Sequence, residues 1–189
     1  SVEGMSHGCV LSKLKTGFHR RRIAWSFNAD HQPIGGKFDG REDAGVLVLA
    51  NSLGTTRELW ARQLPALTDR FRVLTYDHPG HGHSPLPEQP TTVDGLAFGL
   101  LGLLDELNLD RVSFCGVSLG GMVGMALALH APERVERVVL SCTSAYIGPP
   151  EAWHERARAV RADGVSAIAD AVVGRWFTIR AAADEPEIV

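Results

Sequence analysis

The sequence predicts an α/β fold, a three-layer sandwich in which helices cover a mostly parallel sheet. Three observations carry that expectation. Strand-like apolar runs alternate with helix-like stretches from Val46 to Ser141, the pattern of βαβ crossovers. Val46-Leu47-Val48-Leu49-Ala50 is apolar without a break, as a parallel strand covered on both faces must be. Gly116-Val117-Ser118-Leu119-Gly120 then closes a strand pattern and opens a helix pattern, which marks a sharp strand-to-helix turn.

The elements follow in order. Residues 1–21 show no periodicity and read as a poorly ordered extension. Ile23 to Phe27 alternates as a strand does, and Gly35-Gly36 marks a turn. After the Val46–Ala50 strand, Thr56 to Asp69 reads as one helix with Leu59, Trp60, Gln63 and Leu67 along one side. Phe71 to Tyr76 is the next strand and ends at Asp77. Thr92 to Leu107 carries the apolar stripe Leu96, Leu100, Leu103, Leu104 and Leu107, with Thr92 as its N-cap. Val112 to Cys115 is a strand bounded by charge, Leu119 to His130 a helix rich in Ala, Leu and Met, and Val135 to Ser141 a further strand. Pro149-Pro150 breaks the alternation. Trp153 to Arg161 and Val165 to Phe177 then read as short helices, as a lid above a sheet would. The expected organisation is an extension over 1–21, a core over 22–144 and the start of a helical lid over 145–189.

Composition narrows the function. A chain of 189 residues can bury a sizeable core, and 44% hydrophobic content with a net charge of −3 is that of an ordinary soluble domain. No basic stripe is interleaved with aromatics, so no nucleic-acid partner is expected. The basic cluster His19-Arg20-Arg21-Arg22 reads as a solvated leader. No segment has the continuous apolar length of a membrane span, and Lys13, Lys15 and Gly17 interrupt the sole stretch that could form a signal peptide. Cys115 and Cys142 fall in strand patterns and are expected to be buried thiols rather than a bridge. The expectation is a reduced, cytoplasmic chain without a membrane partner.

The chemistry centres on Ser118. Glycines two before and two after a serine let strand and helix backbones approach closely and hold the serine in a strained conformation. A serine hydroxyl is a weak nucleophile until a base takes its proton and a third group orients that base. Its oxyanion should meet the N–H of Leu119 and one from the loop after an earlier strand. Asn51-Ser52-Leu53-Gly54 follows Val46–Ala50 directly, which makes Leu53 N–H the second donor. In Tyr76 to Ser84, the histidines His78, His81 and His83 invite a metal reading, but a zinc site needs further ligands and a firm framework. No metal and no cofactor is expected, and His81 is expected to brace the loop by hydrogen bonds. Downstream of Ser118, His130 ends a helix where its dipole favours a cation. His154 lies on the lid, as do Asp163, Asp170 and Asp184, and neither histidine is expected to serve as the base.

Together, the Val46–Ala50 strand with Asn51-Ser52-Leu53-Gly54-Thr55, Trp60, the Asp77–Ser84 loop and the Gly116–Gly120 elbow resemble the α/β-hydrolase superfamily. Asn-Ser-Leu-Gly-Thr, Gly-Val-Ser-Leu-Gly-Gly and Arg175-Trp176-Phe177-Thr178 are similar to 3-oxoadipate enol-lactonases, which act in aromatic-compound degradation. The resemblance runs from about Arg22 to Val189, with Pro79 where many relatives have arginine. It implies an α/β-hydrolase three-layer sandwich, a small-molecule lactone or ester substrate and Ser118 attacking a lactone carbonyl. A carboxylate on such a substrate calls for a cation, and Arg156 near Trp153 is the candidate, with Trp60 and Trp153 as further substrate contacts.

Family members continue past this end point to the strands that bear the catalytic acid and histidine. The expectation is therefore an N-terminal fragment truncated in the lid, inactive by itself and prone to aggregate at the apolar Val135–Ser141 strand. A general carboxylesterase or cofactor-free haloperoxidase-like hydrolase is the alternative within enzymes. A non-catalytic binding protein that kept the fold is the alternative outside them.

Overall fold

The computed structural model describes residues 35–88 and 90–186. The extension over 1–21, the basic cluster at His19–Arg22 and the Ile23–Phe27 strand lie outside the described residues. Within them a five-stranded sheet runs in the order β1-β3-β2-β4-β5. Its strands are β1 (Gly36–Gly40), β2 (Val46–Ala50), β3 (Arg72–Tyr76), β4 (Val112–Val117) and β5 (Val135–Ser141). β1 pairs antiparallel with β3; the other pairings, β2 with β3, β2 with β4 and β4 with β5, are parallel. Parallel register brings the carboxyl ends together, with Ala50 beside Tyr76 and Gly116, and Val117 beside Ser141.

β2 is covered on both faces, and the two-residue period of a strand explains how. Val48 and Ala50 face a core built with Leu96, Leu100 and Leu103 of helix α2 (Val93–Glu106) and Val123 and Leu127 of helix α3 (Leu119–His130). Leu47 and Leu49 face the opposite way, into a smaller core with Val73, Trp60, Leu64, Leu67 and Phe71.

The helix termini show why α2 is where it is. Thr92 Oγ1 accepts from Gly95 N–H at 3.0 Å, an N-cap that satisfies one of the orphan amides of the first turn. At the other end Asn108, at φ 54°, lets Leu109 N–H reach Leu104 O (2.8 Å) and Asn108 N–H reach Asp105 O (3.1 Å). That is a Schellman closure with asparagine in the left-handed position.

Several expectations need correction. The single helix over Thr56–Asp69 is instead a 3₁₀ turn, Arg57–Trp60, and a separate helix α1, Leu64–Thr68. Pro65 has no N–H and its ring would collide with the preceding turn of a continuous helix, but it fits the first turn of a new one. Gly36–Gly40, read only as part of a turn, is β1, the sheet's other edge among the described residues; it packs through Phe38, whose ring lies 4.1 Å from the Arg72 guanidinium. Cys142 is exposed at φ 48°, against the expected burial, while Cys115 is half-buried and packs against the smaller core. Cys142 lies one residue past β5, where the chain leaves the sheet.

After β5 come helices α4 (Pro150–Asp163), α5 (Ser166–Val173) and α6 (Ile179–Asp184). The sequence reading anticipated the first two with shorter and longer bounds and missed the third. Among the described residues β5 is the sheet's edge, and its apolar side chains stand out in solvent. No helix among the described residues is long and apolar enough to cross a membrane.

Candidate active site

The turn between β4 and α3 is built by the absence of side chains. A Cβ on Gly116 would overlap the Gly120 carbonyl, and one on Gly120 would overlap the Ala50 carbonyl. β2, β4 and α3 therefore meet backbone to backbone, which only glycine permits at these two positions. Ser118 sits at the apex with φ 53° and ψ −113°, a strained conformation for a residue with a side chain. Its surroundings hold it there. Ser118 N–H donates to Ser141 O at 2.9 Å, and Ser118 O accepts from Thr143 Oγ1 at 2.8 Å and from Met122 N–H at 3.0 Å. Thr143 was not singled out in the sequence, because nothing local marks a threonine that acts on a residue 25 positions away.

Ser118 opens on a cavity of about 440 Å³. Leu53, Leu119 and Met122 line it from the sheet side, and Tyr146, Ile147, Trp153 and His154 from the lid side. The sequence-expected pair, Leu53 and Leu119, thus reaches the same cavity as the serine. Neither amide finds an acceptor among the described residues, so both remain available to a ligand. Trp153 is held by its indole N–H, which donates to Ile147 O at 2.6 Å.

The loop bearing Leu53 is tied down closely. Asn51 is fully buried; its Nδ2 donates to Thr55 O (3.0 Å), while its carbonyl accepts from Gly120 N–H (3.1 Å) and from His78 Nε2 (3.0 Å). Gly54 N–H donates to His81 Nε2 at 3.0 Å, and His81 Nδ1 bonds Pro79 O at 3.1 Å. His81 therefore braces the loop through hydrogen bonds. Buried Asp77 organises the second loop, accepting from Arg57 N–H (2.7 Å) and His83 N–H (3.1 Å). Burial pushes the His78 imidazole down to about pKa 4.

Other candidates fall elsewhere. Trp60 does not line the cavity; it packs on the opposite face of the sheet against the Leu47, Leu49 and Val73 cluster, where its large apolar area fills the core. Arg156 stacks with its guanidinium carbon 5.5 Å from the Trp153 ring centre, beside the cavity wall. Desolvation, with the nearby Arg175 charge, lowers its pKa. Neither arginine forms an ion pair among the described residues. His130 turns away from the site to meet Asp94 Oδ1 at 3.0 Å and the Phe98 ring. His154 lines the cavity, but no described histidine hydrogen-bonds to Ser118.

The segment that carries this strained serine, at the carboxyl edge of a mostly parallel sheet, falls within the span matched by a known family model. The model is that of the alpha/beta hydrolase fold, and it covers residues 45–165. The chain belongs to the α/β-hydrolase family. It is 41% identical to 3-oxoadipate enol-lactonase 2 of Acinetobacter baylyi over 79% of this chain and 56% of that protein. Among solved structures it is similar to the enol-lactonase of Burkholderia xenovorans, with 46% identity, a TM-score of 0.80 and coverage of 82% of this chain and 61% of that one. A thermophilic esterase from Thermogutta terrifontis shares 28% identity at a TM-score of 0.70, over 80% of this chain and 56% of its own. The α/β-hydrolase chain described here therefore spans little more than half the length of the relatives it matches.

Proposed function

We propose that this α/β-hydrolase chain carries the nucleophile and oxyanion half of a serine-dependent lactone hydrolase that opens 3-oxoadipate enol-lactone in aromatic-compound degradation. One observation carries the reading: Ser118, in a strained conformation, shares a single cavity with the unoccupied amides of Leu53 and Leu119. In that arrangement Ser118 Oγ attacks the lactone carbonyl and the two N–H groups receive the charge that develops on its oxygen. Collapse breaks the ring C–O bond and expels an enolate that ketonises on protonation. Water then hydrolyses the acyl-serine and frees the acid.

Every such step needs a base for the Ser118 proton. The likeness covers 56% and 61% of the enol-lactonases it matches, and the histidine and its orienting acid are proposed to come from the part of that fold outside the matched span. Arg156, partly buried beside Trp153 and without an acidic partner among the described residues, is the group proposed to meet the substrate carboxylate. The domain division proposed is a core to residue 144 and a lid from 145, cytoplasmic and reduced.

The test is hydrolysis of the enol-lactone against simple aryl esters by residues 1–189 alone and by the same chain with any coding sequence that continues past Val189. Ser118→Ala should abolish turnover by about ten-thousandfold or more. Turnover that survives in Ser118→Ala sinks the assignment of the nucleophile. A general carboxylesterase is the second reading, favoured by the esterase likeness and the apolar cavity wall; equal rates on neutral aryl esters and the lactone would select it. A binding protein without catalysis has no use for a strained serine between two free amides.

A further inference from the structure

The Asn51–Thr55 loop closes on itself but does not fix its own tilt. Thr55 N–H and Oγ1 both return to Ser52 O, at 3.2 and 2.9 Å, and Asn51 Nδ2 returns to Thr55 O. Such a turn can still rock as a unit against the elbow, carrying the Leu53 amide with it.

Two imidazoles from the neighbouring Tyr76–Ser84 loop grip its two ends. At the first, His78 Nε2 meets Asn51 O, the same carbonyl that accepts Gly120 N–H from the elbow helix. At the second, His81 Nε2 meets Gly54 N–H, and its Nδ1 meets Pro79 O. A carbonyl only accepts and an amide N–H only donates. His78 must therefore be the Nε2–H tautomer and His81 the Nδ1–H tautomer. The rings pack edge to face with centres 6.0 Å apart.

The pattern excludes charged side chains on chemical grounds. One site needs a neutral donor and the other a ring that accepts at one nitrogen while donating at the other. Lysine and arginine accept nothing, and an ionised carboxylate donates nothing. At 1% exposure His78 cannot hold a charge without cost, and its Nδ1 lone pair is left without a partner in the core.

We propose that His78 and His81 are positioning residues for the oxyanion donor: locked in opposite neutral tautomers, they clamp both ends of the Asn51–Thr55 loop and so set the direction of the Leu53 N–H toward Ser118. The inference rests on the assignment of Leu53 and Ser118 above.

Nitrogen-15 spectra of the folded protein distinguish the two tautomers without any turnover. They should show Nε2–H at His78 and Nδ1–H at His81; the same tautomer at both, or the reverse assignment, overturns the proposal. Ester hydrolysis by His78→Leu, His78→Gln, His81→Leu and His81→Gln supplies the functional arm. Each leucine variant should lose about ten- to a hundredfold in kcat, short of the loss from deleting a donor outright, with little change in KM. Glutamine carries a donor and an acceptor near the Nε2 position and should recover most of that loss. A folded leucine variant with undiminished kcat, or a glutamine variant as poor as its leucine counterpart, overturns the clamp.

If residues 1–189 hydrolyse no ester, as a chain without a base should not, the Ser118 reading stands or falls with Ser118→Ala in a chain that carries the base, and amide exchange decides the clamp. Exchange at Gly54, the amide that His81 holds, should then be about tenfold faster in the leucine variants, and unchanged exchange overturns it. Leucine variants too unstable to assay leave the decision with the tautomers and the glutamine pair.

Discussion

Single residues at this site act through a small number of short bonds. Buried His78 has its pKa lowered from 6.5 to about 4, so the unfolded chain binds its proton first as pH falls. The stability this residue contributes is full above pH 6.5 and is lost progressively down to about pH 4. The loss should reach roughly 3 kcal/mol, and His78→Gln should flatten that part of the curve in urea unfolding measured across the range. An unchanged slope would place the acid sensitivity elsewhere. Arg156 makes a separate prediction about recognition. Arg156→Gln should raise KM for a carboxylate-bearing lactone about tenfold and leave a neutral aryl ester unaffected, as measured by steady-state kinetics on both.

At the scale of elements, the elbow depends on contact between backbones. Gly120→Ala would drive a methyl into the Ala50 carbonyl, and no rotamer change can relieve a clash with backbone. We expect a loss of about 3 kcal/mol in denaturant unfolding and a displaced Ser118. This element was fully legible beforehand, because the glycine spacing, the apolar strand and the Ala/Leu-rich helix all point the same way; Leu119–His130 and Val135–Ser141 have the bounds read from the sequence. The Thr56–Asp69 stretch was not. Its apolar spacing mimics a helix, and the decisive residue was Pro65, which starts a second helix instead of interrupting one. β1 escaped notice because a five-residue edge strand flanked by glycines has no apolar alternation to detect.

The whole molecule presents one unusual surface. β5 carries a run of three apolar residues after Glu136 and Arg137, and these three, Val138, Val139 and Leu140, are 40, 57 and 41% exposed. A strand with open backbone groups and bare side chains invites pairing with another copy. Residues 1–189 alone should therefore associate as concentration rises, and Val139→Lys should reduce that association in sedimentation velocity. A monomer at all concentrations would refute the prediction. The same strand holds Ser118 through Ser141 O, so disorder at the edge would reach the elbow serine directly.

By itself the sequence determined the βαβ order, the strand that runs through the core, the elbow serine and the Asn51–Thr55 loop that lines the same cavity. Each is written in local pattern, either the period of apolar residues or the spacing of glycines around a turn. Tertiary structure alone decided the rest. It put Trp60 on the far face of the sheet, exposed Cys142, and set Trp153 and His154 across a cavity from Ser118. It also joined His78, Asn51 and Gly120 through one carbonyl, across 27 and 69 positions of chain. The physical reason is that a hydrogen bond or a shared face between distant segments depends on how strands order and stack, and no short stretch of sequence encodes that.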